Sequence, residues 1–163
     1  MKDILDDIKL DDSKIYDIAI HLRLGDFADK DDFIDYIYLE ELFSTIDFNN
    51  KRSCFVVEKP KCEFDIDFLN KCLTWFKNKN IPINVESNSL IIDFNIMKSA
   101  KILVCSMSTL SWCSAFFSKK IELCYMPDYN FHDQNRKTFF KNPIDNTLFY
   151  RVKSTKNKLN NNI

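Results

Sequence analysis

The chain has 163 residues, 45% of them hydrophobic and 29% charged, and a formal net charge of −1. That length suits one domain with a proper core, and so even a charge gives no electrostatic case for nucleic acid or an anionic membrane surface as partner. No apolar run approaches the ~20 residues of a membrane span, and the charged residues 1–12 do not read as a secretory leader, so a cytoplasmic protein is expected.

Strand and helix patterns alternate along the chain. Residues 15–22 read as a buried strand, and residues 33–46 as a helix with an apolar stripe at Ile34, Ile37, Tyr38, Leu42 and Ile46. Cys54-Phe55-Val56-Val57 is a continuous apolar run, typical of a strand covered on both faces. Residues 65–77 follow as a helix with Ile66, Leu69, Leu73 and Phe76 on one side, and residues 81–85 as a short strand opened by Pro82. A helix over 90–100, a buried strand over 102–105, a helix over 109–118 and a strand over 121–126 stopped by Pro127 complete the pattern. Residues 129–150 are aromatic and irregular, with room for one helix. The alternation predicts an α/β fold: a Rossmann-like parallel sheet with helices on both faces. Residues 1–150 form the single domain and 151–163 a basic, flexible tail.

Six cysteines are present without a C-x-x-C pair, and the two histidines, His21 and His132, add few partners, so no zinc site is expected. Cys54, Cys105 and Cys124 lie in apolar runs and read as small core residues in reduced form. Asp29, Asp31 and Asp32 read as a solvated acidic face rather than a metal site, and His132 as solvated. Trp112, Phe116 and Phe117 read as core.

Two loops carry chemistry. The first, His21 to Asp26, follows the first strand and holds the only glycine of the chain, Gly25. A guanidinium such as that of Arg23 donates two parallel hydrogen bonds to a phosphate. Gly25 admits close backbone approach, and Asp26 orients Arg23 or accepts from a ligand hydroxyl. The plainer alternative is a turn glycine beside an Arg23–Asp26 ion pair. The second loop, Ser106-Met107-Ser108-Thr109, opens a helix whose free N–H groups and dipole favour an anion, with three hydroxyls as further donors. Its plainer alternative is ordinary capping by Ser108 or Thr109. Asp93 suits the first turn of its helix as an acid.

Both loops together resemble motifs of the inverting GDP-fucose-dependent fucosyltransferases, the alpha-1,2 type above all. His21-Leu22-Arg23-Leu24-Gly25-Asp26 is similar to their H-x-R-R-x-D, with Leu24 in place of the second arginine. The stretch from Asp93 through Met97 to Ser106-Met107-Ser108-Thr109-Leu110-Ser111-Trp112 is similar to their D-x-x-x-M and S/A-N-S-S/T-F-S-W-W segments, with Met107 for Asn and Cys113 for the second Trp. Their S-D-D after the second strand is here Glu58-Lys59-Pro60. The resemblance spans residues 15–127.

The resemblance implies the nucleotide-sugar-binding half of a GT-B-like glycosyltransferase, acting without a metal or other cofactor on GDP-fucose as donor and a glycan hydroxyl as acceptor. Arg23 would hold the donor diphosphate and stabilise the GDP leaving group. Asp93 would meet the guanine base, and Ser108 and Thr109 the diphosphate, with Gly25 and Ser106 beside them. His21 would brace the loop or approach the fucose, and Asp26 is the candidate general base. Family members carry a substantial half before the H-x-R motif, where this chain has residues 1–20, so a second chain or a homodimer is expected to supply it. The rival expectations are a non-catalytic nucleotide-sugar-binding or interaction module derived from such an enzyme, and an α/β domain with no ligand.

Overall fold

A strand that is apolar on both faces must be covered on both. In the computed structural model, which describes residues 9–25, 34–128 and 142–150, β1 (Ile18–Leu22) is buried at all five positions. The remaining elements follow as α1 (Tyr36–Thr45), β2 (Ser53–Val57), α2 (Glu63–Asn78), β3 (Asn84–Glu86), α3 (Leu90–Ser99), β4 (Ile102–Val104), α4 (Thr109–Phe116), β5 (Leu123–Pro127) and β6 (Thr147–Tyr150). All five strand pairings are parallel, in the order β3-β2-β1-β4-β5-β6. This is a Rossmann-like, doubly wound α/β arrangement whose order reverses between β1 and β4.

The register around β1 is fixed on both sides. Ile18 pairs with Ser53 and Ile102, and Ile20 with Phe55 and Val104. Asp17, just ahead of the strand, ties the lower ends of three strands together. Its carboxylate accepts from the Arg52 N–H at 3.1 Å and pairs with Lys101 at 3.1 Å, while its carbonyl accepts from the Lys101 and Ile102 N–H groups at 3.0 and 2.9 Å.

Side-chain alternation sorts the strands into two cores. Ile18, Ile20, Leu22, Phe55, Val57 and Val104 pack with α1 and α2; Ala19, Cys54, Val56, Leu103 and Cys105 pack with α3 and α4. The first core is dominated by rings: Phe76 meets Phe43, Phe48 and Phe55 edge-on at centroid distances of 5.2, 4.9 and 5.3 Å. The second is thinner and holds Cys105 and Cys124, free thiols with sulfurs 3.7 Å apart. Cys54, Cys105 and Cys124 are fully buried, and so is Cys72.

Several expected boundaries and faces differ from the structure. The first strand starts at Ile18, not 15, because Asp12–Lys14 forms a short 3-10 turn capped by the Asp11 carboxylate. On α1 the buried positions are Leu39, Leu42 and Phe43, and Ile37 faces solvent at 58% exposure. On α2 they are Asp65, Phe68, Cys72, Trp75 and Phe76, while Ile66 is exposed; Phe68 and Trp75 offer more apolar area than the leucine stripe and rotate the helix toward themselves. The third strand begins at Asn84 because residues 80 and 81 still close α2: the Asn80 N–H donates to Lys77 O and the Ile81 N–H to Phe76 O, with Asn80 at φ +55°. Pro127 ends inside β5 and pairs with Tyr150 of β6, a strand that the irregular composition of residues 129–150 conceals. Phe116 and Phe117 are exposed rather than core. Residues 129–141, with His132, lie outside the described residues, as do Asp29, Asp31, Asp32 and the basic tail 151–163. Among the described residues no helix is long and apolar enough to cross a membrane.

Phe76 is fully buried at the centre of the ring cluster. Phe76→Ala is expected to cost about 4 kcal/mol of unfolding free energy, read by urea denaturation. A loss below about 1 kcal/mol would show that this cluster does not carry the fold.

Candidate functional site

In doubly wound sheets ligands bind outside the carboxyl ends of the strands where the order reverses. Here that place lies between the ends of β1 and β4, and both chemistry-bearing loops reach it. His21 is the fourth residue of β1, and Ser106 stands two residues beyond β4. The Ser106 hydroxyl and His21 Nδ1 lie 2.7 Å apart in a hydrogen bond that joins the loops, with His21 7% and Ser106 1% exposed.

Burial sets the protonation of His21. An imidazolium there would lose its hydration and face the Arg23 cation, so desolvation first and that repulsion second bring the His21 pKa down to about 3. His21 is therefore neutral across the physiological range and exchanges no proton there. Of the two roles expected for it, bracing the loop or approaching the sugar, the contact with Ser106 matches the brace.

Arg23 follows β1 directly and is half-buried. Gly25 adopts φ +81°, a left-handed conformation that side chains disfavour. A Cβ there would meet only Glu58 Oε2, at 3.7 Å, so glycine is required by backbone conformation rather than by crowding. Asp65 holds the turn in place. Its fully buried carboxylate accepts from the Gly25 N–H at 3.0 Å on one oxygen and from the Lys61 N–H at 2.9 Å on the other. Burial pushes the Asp65 pKa up, but the N–H donors of Lys61, Gly25 and Cys62 outweigh it and hold the carboxyl below its ordinary value. The periodicity placed Asp65 only at a helix start; an acid in the first turn of α2 was the available signal.

On the β4 side, Ser108 caps α4: its hydroxyl oxygen accepts from the Leu110 N–H at 3.2 Å. Ser111 Oγ donates to Ser108 O at 3.1 Å and stiffens the same turn. Thr109, first residue of α4, is exposed. Of the three hydroxyls expected to face an anion, that of Ser106 meets His21, and the oxygen of Ser108 accepts from the helix end while its own O–H remains a donor. Tyr150 of β6 adds a support that the sequence pattern did not show, its hydroxyl donating to Cys105 O immediately before Ser106.

A groove of about 440 Å³ runs from this junction along the carboxyl ends of β1, β2 and β3. His21 and Arg23 line one end, Glu58 and Lys59 the middle, and Asn88 and Asp93 the other. Its volume falls in the range of small-molecule sites. On the opposite flank, Arg23 also borders a cavity of about 20 Å³ against Phe64, Phe68 and Met107, room for little more than water. At the far end Asp93 is 8% exposed and accepts from the backbone and side-chain nitrogens of Asn88 at 3.2 and 3.0 Å. Burial raises its pKa despite those donors. Asn88 in turn donates to Glu86 at 2.9 Å, and Lys14 donates to both Glu86 and Asn88 at 2.7 and 2.9 Å. Tyr16 also donates to Glu86. Asp26 lies outside the described residues.

The arrangement thus offers one guanidinium at the switch point, one protected carboxylate across a groove, and a braced loop between two strands. No group of three or more His, Cys, Asp or Glu among the described residues is arranged to hold a metal ion. Comparison with protein-family models, with curated proteins and with solved structures finds no match to this chain.

Because the unfolded chain takes up a proton at His21 near pH 6.5 and the folded chain only near 3, stability is expected to fall as pH drops below 6.5. The His21 share amounts to about 2 kcal/mol between pH 7 and pH 5. His21→Asn keeps an acceptor or donor for Ser106 and should remove that share from a pH series of denaturation curves; identical pH dependence in both proteins would refute the buried neutral imidazole. Asp65→Ala leaves two N–H groups without their acceptor and is expected to cost about 3 kcal/mol, checked by thermal unfolding, whereas a neutral effect would mean that the β1 turn is held by other contacts.

Proposed function

We propose that this domain binds a nucleotide sugar across the β1–β4 switch point and serves a glycosyltransferase that moves fucose from GDP-fucose to a glycan hydroxyl with inversion. One observation carries the reading: the His21–Ser106 hydrogen bond at 2.7 Å unites the two segments that resemble the donor-binding motifs of those enzymes. Were the resemblance an accident of composition, nothing would require both segments to meet at the ligand-binding edge of the sheet.

In this reading Arg23 takes the diphosphate. As the bond between the sugar carbon and the β-phosphate oxygen breaks, negative charge grows on the departing GDP, and a positioned guanidinium stabilises it more than it stabilises the intact donor. Asp93 lies at the other end of the groove, suited to accept N–H donors of a purine base. Gly25 keeps the β1 turn open, and the positive end of the α4 dipole, at Ser108 and Thr109, favours negative charge. The acceptor oxygen loses its proton to a base, for which Asp26 is the candidate carried by the motif. The GT-B arrangement and a partner that completes the cleft belong to the same reading.

A second reading has its own observation. His21 is neutral and buried, and Asp93 is buried and engaged by Asn88, so neither of the buried titratable groups lining the groove is an idle base. That favours a non-catalytic nucleotide-sugar-binding module derived from such an enzyme. The two readings share the donor site and part at turnover.

Calorimetric titration with GDP, with ADP and UDP as controls, tests the donor site. GDP is expected to bind selectively, and Arg23→Ala to weaken it by about 2 kcal/mol. Unchanged affinity in Arg23→Ala would sink the assignment of Arg23, and absence of binding by any nucleotide would sink the donor site.

A further inference from the structure

We infer that Glu58 recognises the ribose of the bound nucleotide by accepting hydrogen bonds from its 2′- and 3′-hydroxyls. The inference rests on the nucleotide-binding reading above and adds the sugar-class specificity of the site. With phosphate at Arg23 and base at Asp93, the ribose between them lies over the carboxyl ends of β2 and β3. Glu58 follows β2 directly and lines the groove there.

The chemistry of the position matches a diol. Two neighbouring hydroxyls present two donors, and an ionised carboxylate presents acceptors only. Glu58 and Asp93 are the only carboxylates lining the groove among the described residues, and in this reading Asp93 is taken by the base. Asn88 itself is committed to Glu86 and Asp93. Glu58 instead stands half in water: Lys61 holds Oε1 at 2.5 Å, and Oε2 lies 3.7 Å from where a side chain on Gly25 would begin. Oε2 thus faces the turn that carries Arg23. The Lys61 pair is exposed on both sides, 65% and 51%, so it orients the carboxylate without binding it tightly. A ligand hydroxyl meets a charged acceptor that is already aimed.

The experiment compares GDP with 2′-deoxy-GDP by calorimetric titration of the wild-type chain, Glu58→Ala and Glu58→Gln. Wild type is expected to bind GDP on the order of tenfold more tightly than the deoxy form. Glu58→Ala should lose about that factor for GDP and far less for 2′-deoxy-GDP, so that the preference disappears, with Glu58→Gln in between. Equal wild-type affinity for the two nucleotides, both weakened by Arg23→Ala, overturns the ribose assignment and leaves the nucleotide reading standing. A preference that survives in Glu58→Ala overturns the choice of residue. Failure of wild type to bind either nucleotide removes both readings together.

Discussion

β1 is the strand on which the chain reverses its direction of travel across the sheet, and the rest of the molecule is arranged around that reversal. The first two crossovers build outward through β2 and β3; the third returns over the opposite face to set β4 against the other side of β1. Both neighbours of β1 therefore end at the same edge, with loops that part in opposite directions and leave a cleft between them. Asp17 secures the lower end of this junction and the His21–Ser106 bond the upper one. Because both side chains of the upper bond are buried, breaking it would leave both polar groups without water to replace the partner, which ties the two loops together.

The polar groups around the cleft divide by surroundings. His21, Asp65 and Asp93 are nearly or fully buried, and each has a hydrogen-bond partner. Their pKa values move in different directions because the partners differ. Asp65 faces N–H donors that stabilise its charge, Asp93 is governed by desolvation, and His21 has an adjacent cation as well as burial against it. Arg23 and Glu58 stand nearer to solvent at the groove itself. The buried groups hold the loops, while the groups nearer the solvent line the groove.

The fold was legible because period and breaker residues agreed. Runs such as Cys54-Phe55-Val56-Val57 have no polar face, which is the mark of a strand covered twice, and helix-period segments fall between them. Helix faces were less legible. On α2 two apolar stripes overlap at Phe76, which is buried as expected, and only packing decides that Phe68 and Trp75 turn inward more fully than Leu69 and Leu73. β6 was hidden because Leu148 and Phe149 are half exposed and the strand is short. At the site, His21, Arg23 and Ser106 could be singled out from spacing alone, since each sits next to a strand end. Asp65, Asn88 and Tyr150 could not. Their roles depend on contacts between segments 40 to 45 residues apart for Asp65 and Tyr150, and on Lys14, 74 positions away, for Asn88, and local pattern carries no information about such contacts.

The His21–Ser106 bond spans 85 positions of the chain, and Tyr150 reaches back 45 more to hold the carbonyl beneath it. Long-range closures of this kind are entropically late events in folding. During synthesis β1 emerges before β2 and β3, yet it has a neighbour on its β4 side only after two crossovers and α3 have been made. Its flank remains an unsatisfied strand edge throughout that interval, the kind of surface that pairs with other chains when left waiting. The strand that organises the finished sheet thus keeps one flank open until α3 is complete, and the carbonyl before Ser106 gains its Tyr150 partner only when β6 has docked.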